Sequence, residues 1–150
     1  MLRCAGHWTK LSALSAIAVS PKRQHLALYA RFHPDKNLGS ADTAAFLRQL
    51  ARHRRGHVIV LWDGGHQHKG EPVGAFRRRH PCWILHRFPG YAPERNPDEF
   101  VWNLLKRAVA NSNPQDLAHL KRLIHGPLMR LRQSQKLLWS CIYASDLPWT

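Results

Sequence analysis

The sequence predicts a mixed α/β fold, a sheet flanked by helices. Three observations carry this: apolar runs too short for helices, longer stretches with helical spacing, and Gly or Pro turn signals between them. Read in order, the elements are strand, strand, helix, strand, helix, strand, helix, helix. At 150 residues, 44% of them hydrophobic, the chain is long enough for one domain with a sizeable core. That domain is expected to have its core at about residues 10–124 and a helical tail at 125–150.

The first strand runs from Lys10 to Ser20 and stops at Ser20-Pro21. The second, His25 to His33, alternates Leu26, Leu28, Ala30 and Phe32 against His25, Ala27, Tyr29 and Arg31, so the two form an antiparallel hairpin. Ser40 is expected to cap a helix with Phe46, Leu47, Leu50 and Ala51 on one face, running to Arg55 and ended by Gly56. His57 to Asp63 is a short apolar run that fits a strand buried on both faces. After Gly64-Gly65 come a short helix from Glu71 to Arg79 and a strand from Cys82 to Phe88.

A loop from Pro89 to Pro97 leads to a helix opened by Asn96, with Phe100, Val101, Leu104, Leu105, Ala108 and Val109 spaced for burial. A last helical stretch begins near Asn113-Pro114, breaks at Gly126-Pro127 and resumes to about Cys141. Leu117, Leu120, Ile124, Leu131 and Leu138 are near heptad spacing, read as core in preference to a dimer seam.

Charge narrows the partners. Lys plus Arg number 23 against 9 Asp plus Glu, a net +14, which favours a polyanion. No stretch approaches the roughly 20 apolar residues that span a bilayer, so DNA or RNA is preferred to a membrane. The run from Leu11 to Val19 reads as a strand in preference to a signal peptide. Cys4, Cys82 and Cys141 are odd in number and far apart, which points to a cytoplasmic protein with three small buried hydrophobes.

Two acids stand where chemistry could sit. Asp63 ends a strand against two glycines; it is either a turn residue or a carboxylate at the strand end where α/β proteins place ligands. Glu99 is three residues after Asn96, which makes either a capping box or a carboxylate presented on a rigid helix start, with Asp98 competing for both roles. Together the two could hold hard divalent cations for phosphodiester displacement.

The stretch Phe88-Pro-Gly-Tyr-Ala-Pro-Glu-Arg-Asn-Pro-Asp-Glu-Phe-Val-Trp-Asn-Leu-Leu-Lys-Arg107 resembles the late block of the DDE transposases, more narrowly bacterial insertion-sequence transposases of the mariner-like superfamily. Val58-Ile-Val-Leu-Trp-Asp63-Gly-Gly-His66 is similar to their middle block, except that the family commonly has Asn where this chain has Gly64. The resemblance spans about residues 10–124. It implies an RNase H-like fold, Mg2+ or Mn2+ as cofactor, and DNA cleavage and strand transfer in transposition by a protein that is nucleoid-associated when bound to DNA. Asp63 and Glu99 become catalytic metal ligands, with His66, Tyr91, Asn96 and Trp102 as active-site neighbours. Pro93 would help to shape the loop.

The same resemblance implies a third carboxylate on a first strand that precedes the hairpin. The only acids ahead of Asp63 are Asp35 and Asp42, neither on an expected strand, so the sheet is expected to lack its first strand and the chain to be inactive alone. The family's N-terminal helix-turn-helix is also absent from the sequence. The alternatives are a non-catalytic nucleic-acid-binding remnant, or a subunit completed by another copy or a separate N-terminal polypeptide. Arg77, Arg78, Arg79, Lys106 and Arg107 are the cations assigned to nucleic acid, although the Arg77–Arg79 run also suits a solvated helix end. His66 and His68 form a His-x-His pair with no third zinc ligand at suitable spacing.

Overall fold

The computed structural model describes Leu2, Arg3, residues 10–90 and residues 92–148. Ten main elements follow in chain order: β1 (Leu2–Arg3), β2 (Lys10–Val19), β3 (Leu26–Pro34), α1 (Ser40–His53), β4 (Val58–Trp62), α2 (Glu71–Arg79), β5 (Trp83–Arg87), α3 (Pro97–Val109), α4 (Leu117–Gln133) and α5 (Gln135–Ala144). They make two compact units, one of residues 1–36 and 94–150, the other of residues 37–93.

In the first unit β2 and β3 pair antiparallel over nine positions, from Leu11↔Pro34 to Val19↔Leu26. The hairpin closes where Arg23 N–H donates to Ser20 O (2.8 Å) and Ser20 Oγ accepts from Gln24 and His25 N–H. β1 pairs antiparallel with the start of β2, a two-residue strand that the sequence reading did not include. Leu26 and Leu28 turn inward as the alternation predicts, with Ala30 and Phe32 packed at the margin of the core.

α3 lays Pro97, Val101, Leu105 and Val109 into that core, one residue per turn. Ala108, expected inside, is exposed, because the buried stripe is narrower than the apolar run. α4 and α5 close the core with Leu120, Ile124, Leu128, Leu131, Leu138, Cys141 and Ile142, so residues 125–150 supply much of it. Leucines of near-heptad spacing thus serve packing. The expected break at Gly126-Pro127 is absent: α4 runs through Pro127 and ends at Ser134, whose side chain caps α5 by accepting from Leu137 N–H. Burial of Ile124, Leu128 and Leu131 on either side outweighs the cost of one lost helical hydrogen bond.

In the second unit β4 and β5 are parallel neighbours in register from Val58↔Trp83 to Trp62↔Arg87, joined through α2. α1 starts at Ser40, with Gly39 as its cap; Asp42 Oδ2 accepts from Gly39 N–H (3.0 Å). Ser40 is therefore the first helical residue and not the cap. The helix stops at His53, and Gly56 turns the chain at φ 82°. Phe76 of α2 meets Trp83 edge-on at 5.4 Å, covering one face of the sheet. The other face is open: Ile59 is 65% exposed, and Leu61 and Ile84 are each 48% exposed. β4 was expected to be buried on both faces; with a single strand neighbour and helical cover on one side, it half-buries Val58, Val60 and Trp62 and exposes the residues between them. Cys82, expected inside, is exposed in the turn before β5, whereas Cys141 is buried; Cys4 lies outside the described residues. Among the described residues no helix is long and apolar enough to cross a membrane.

Pro127→Ala should stabilise the fold by about 1–3 kcal/mol, since alanine restores the donor that proline lacks and removes a ring that crowds the preceding turn. The urea midpoint should rise with an unchanged slope; a fall would mean that the proline shapes α4 in a way the core needs.

Candidate active site

Asp63 follows the last residue of β4, where the paired register ends. Its Oδ1 accepts from Gly65 N–H at 3.0 Å, a tight turn that suits an Asp-Gly-Gly sequence. The ring of His68 lies beside it, Nδ1 being 3.1 Å from the same Oδ1 and 2.9 Å from the Asp63 carbonyl oxygen. That ring is stacked on Trp62 at 4.4 Å with planes 7° apart, so the imidazole is fixed by both its edge and its face. Oδ2 of Asp63 has no hydrogen-bond partner among the described residues, and the side chain is 52% exposed. A hard cation uses a ligand of this kind, one oxygen held and the other presented.

His68, and not His66, is the histidine against Asp63; His66 is exposed on the same 3-10 turn. The His-x-His pair was the available sequence signal, but which member faces the carboxylate depends on the 3-10 turn, which brings His68 and not His66 onto Trp62.

Glu99 sits in the first turn of α3. Asn96 caps that helix, its Oδ1 accepting from Asp98 N–H at 3.1 Å, and Pro97 occupies the first helical position. Asp98 turns the other way, into the unit. Ser15 Oγ donates to it from the middle of β2, and Trp102 Nε1 donates to the same Ser15 oxygen at 2.8 Å. Trp102 also meets Phe32 edge-on at 6.1 Å. Asp98, Ser15 and Trp102 thus fasten the start of α3 to the hairpin, while Glu99, in the same turn, is not part of that chain. Sequence reasoning treated Asp98 only as a competitor of Glu99; its link to Ser15 spans 83 positions and no local pattern announces it.

Burial pushes the Asp98 carboxyl up from 3.8 to about 6, and the charge of Glu99 adds to the rise, against the lowering effect of the Ser15 hydroxyl that donates to it and of the Trp102 N–H nearby. Its Oδ1 is buried with no partner among the described residues.

Asp63 belongs to the second unit and Glu99 to the first. Among the described residues no three His, Cys, Asp or Glu side chains cluster as a metal site, the His66/His68 pair included. Arg77, Arg79, Lys106 and Arg107 are exposed, as is Arg78, which is ion-paired with Glu71. Tyr91 lies outside the described residues.

The sequence pattern of the DDE superfamily endonucleases matches residues 2–121. The fold is similar to that of the catalytic domain of Mos1 mariner transposase, with a TM-score of 0.64 at 15% identity over 89% of this chain and 74% of that one. A structure of the Mos1 transposase catalytic domain and raltegravir with Mg is similar at a TM-score of 0.54 and 13% identity, covering 91% of this chain and 84% of that one. No curated protein matches the chain. The mixed α/β fold is therefore RNase H-like, as the sequence predicts.

Because the folded-state value of Asp98 lies above its ordinary value, its contribution favours folding below pH about 4 and is lost as pH rises to about 6. Asp98→Asn, which keeps an acceptor for Ser15, should be more stable than the wild type at pH 8, by up to about 3 kcal/mol. The gap should close towards pH 4 in metal-free denaturation curves. A pH-independent gap would contradict the burial of this carboxyl.

Proposed function

Because the chain belongs to the DDE superfamily endonucleases, we propose that it serves divalent-metal-dependent cleavage and strand transfer of DNA in transposition, with Asp63 and Glu99 as metal ligands. The observation that carries this is the Asp63 carboxylate, held at Oδ1 and open at Oδ2 at the end of a strand. Its donor set suits Mg2+ or Mn2+, as does the carboxylate of Glu99 on a capped helix start.

Bound there, the metal would favour deprotonation of an attacking water or 3′-hydroxyl and offset charge on the phosphate and the leaving oxygen. In cleavage the water oxygen bonds to phosphorus, the P–O3′ bond breaks, and the 3′ oxygen leaves. In strand transfer the 3′-hydroxyl oxygen bonds to a phosphorus of the target strand, the target's P–O3′ bond breaks, and its 3′ oxygen leaves. The protein holds the ligands still: Gly65 N–H and His68 fix the rotamer of Asp63, Trp62 fixes His68, and Asn96 and Trp102 fix the first turn of α3. His66 and Tyr91 are proposed as neighbours of the site. Arg77, Arg78, Arg79, Lys106 and Arg107 hold the DNA backbone.

These 150 residues alone are proposed to bind DNA and to cut it poorly. Ahead of Asp63 the sequence has only Asp35 and Asp42. Asp42 is engaged with the Gly39 N–H, and Asp35 sits in a turn at φ 46°. A third carboxylate on a strand ahead of Asp63 would have to come from outside these 150 residues. The second reading, a DNA-binding protein without catalysis, draws on the same fact and on the lack of a three-ligand cluster among the described residues.

Titration of Mn2+ followed by electron paramagnetic resonance tests the assignment. Asp63→Asn and Glu99→Gln should each weaken Mn2+ binding by about tenfold or more, with duplex DNA binding in EDTA nearly unchanged. Mn2+ affinity that ignores both substitutions would leave the DNA-binding reading standing alone.

A further inference from the structure

We propose that Arg87 is a DNA-phosphate-binding residue seated against Gly64, the residue after Asp63, and that position 64 is glycine to make room for it. The inference rests on DNA being the substrate. In the parallel register Arg87 is level with Trp62, the residue before Asp63, and Phe88 N–H donates to Trp62 O at 2.8 Å to pin the two strand ends together. A β-carbon on Gly64 would fall 2.1 Å from Arg87 Nε, 2.2 Å from Nη2 and 2.4 Å from Cζ. The guanidinium therefore lies directly against the Gly64 backbone.

Gly64 is not among the residues with positive φ, so its conformation is open to any L-residue and does not call for glycine. The demand is for space, and what fills the space is a cation. Among the described residues Arg87 takes part in no ion pair or hydrogen bond, and Asp63 directs its own contacts to Gly65 and His68. The strand end therefore sets an uncommitted guanidinium against the residue that follows the Asp63 carboxylate. A phosphodiester fits that combination. Its non-bridging oxygens take paired hydrogen bonds from a planar guanidinium, which orients the phosphate as well as neutralising it. In the functional reading above, this is the phosphate that would be presented to the Asp63 metal.

The test uses the full chain in EDTA, with fluorescence anisotropy of a labelled random-sequence DNA duplex at several salt concentrations. Arg87→Ala should weaken binding roughly three- to tenfold and lower the slope of log affinity against log salt by about 1. Arg87→Lys should recover the slope but only part of the affinity, since an ammonium gives a point charge without the paired geometry. Gly64→Ala removes no charge and displaces only the flexible end of Arg87, so it should weaken binding in the wild type and add nothing to Arg87→Ala. An affinity and slope indifferent to Arg87→Ala would overturn the proposal, as would a Gly64→Ala effect that persists without Arg87. If the wild-type chain binds no duplex, the functional reading falls with it; if it binds and ignores these substitutions, only the role of Arg87 falls.

Discussion

The first unit depends on the β2–β3 hairpin being held to α3. Nine paired positions make the hairpin a stiff platform, and α3 is pressed on it through Val101, Leu105 and Val109. At the front of that helix the contact becomes polar: Trp102 donates to Ser15, and Ser15 donates to Asp98. A buried carboxyl on the helix adjoining an apolar core is costly unless partnered, and here one oxygen is partnered and the other is not. The cost is tolerated at the helix start that carries the proposed ligand Glu99. This agrees with the general tendency of proteins to concentrate local strain and unusual polarity near functional sites.

Element type and order were legible in the sequence because each apolar run had a clear period and a clear stop. The hairpin, α2, α3 and the Asn96 cap follow directly from alternation, helical spacing and Asn-Pro chemistry. What misled was context. Gly126-Pro127 is a local break signal, but apolar residues on both sides bury into one continuous core and carry α4 through it. The valine- and isoleucine-rich β4 reads as buried on both faces, whereas the exposure of Ile59 and Leu61 depends on how many strands stand beside it. Strand count is a property of the sheet, and the local sequence does not contain it.

The candidate site shows the same division. Asp63 and Glu99 stood out through motif resemblance, and Asn96 through its cap. His68 did not, because the 3-10 turn decides which histidine of the pair faces the carboxylate. Arg87 did not, because it reaches Gly64 across a parallel pairing and not along the chain. Gly64 was visible as a departure from the family's usual asparagine. Its meaning required the neighbouring strand.

The order of the two units along the chain bears on how the protein reaches this state. Residues 37–93 form one continuous piece with mostly short-range connections, so this unit can collapse without waiting for the rest. The other unit is sewn from two separated segments, and its core cannot close until the 37–93 stretch is spanned. Spanning a longer loop is cheap in equilibrium terms, about 0.6 kcal/mol per doubling, but it delays the contacts that reward it. During that delay α3, α4 and α5 present their leucines to solvent, a window in which a nascent chain of this kind is most exposed to association with its neighbours.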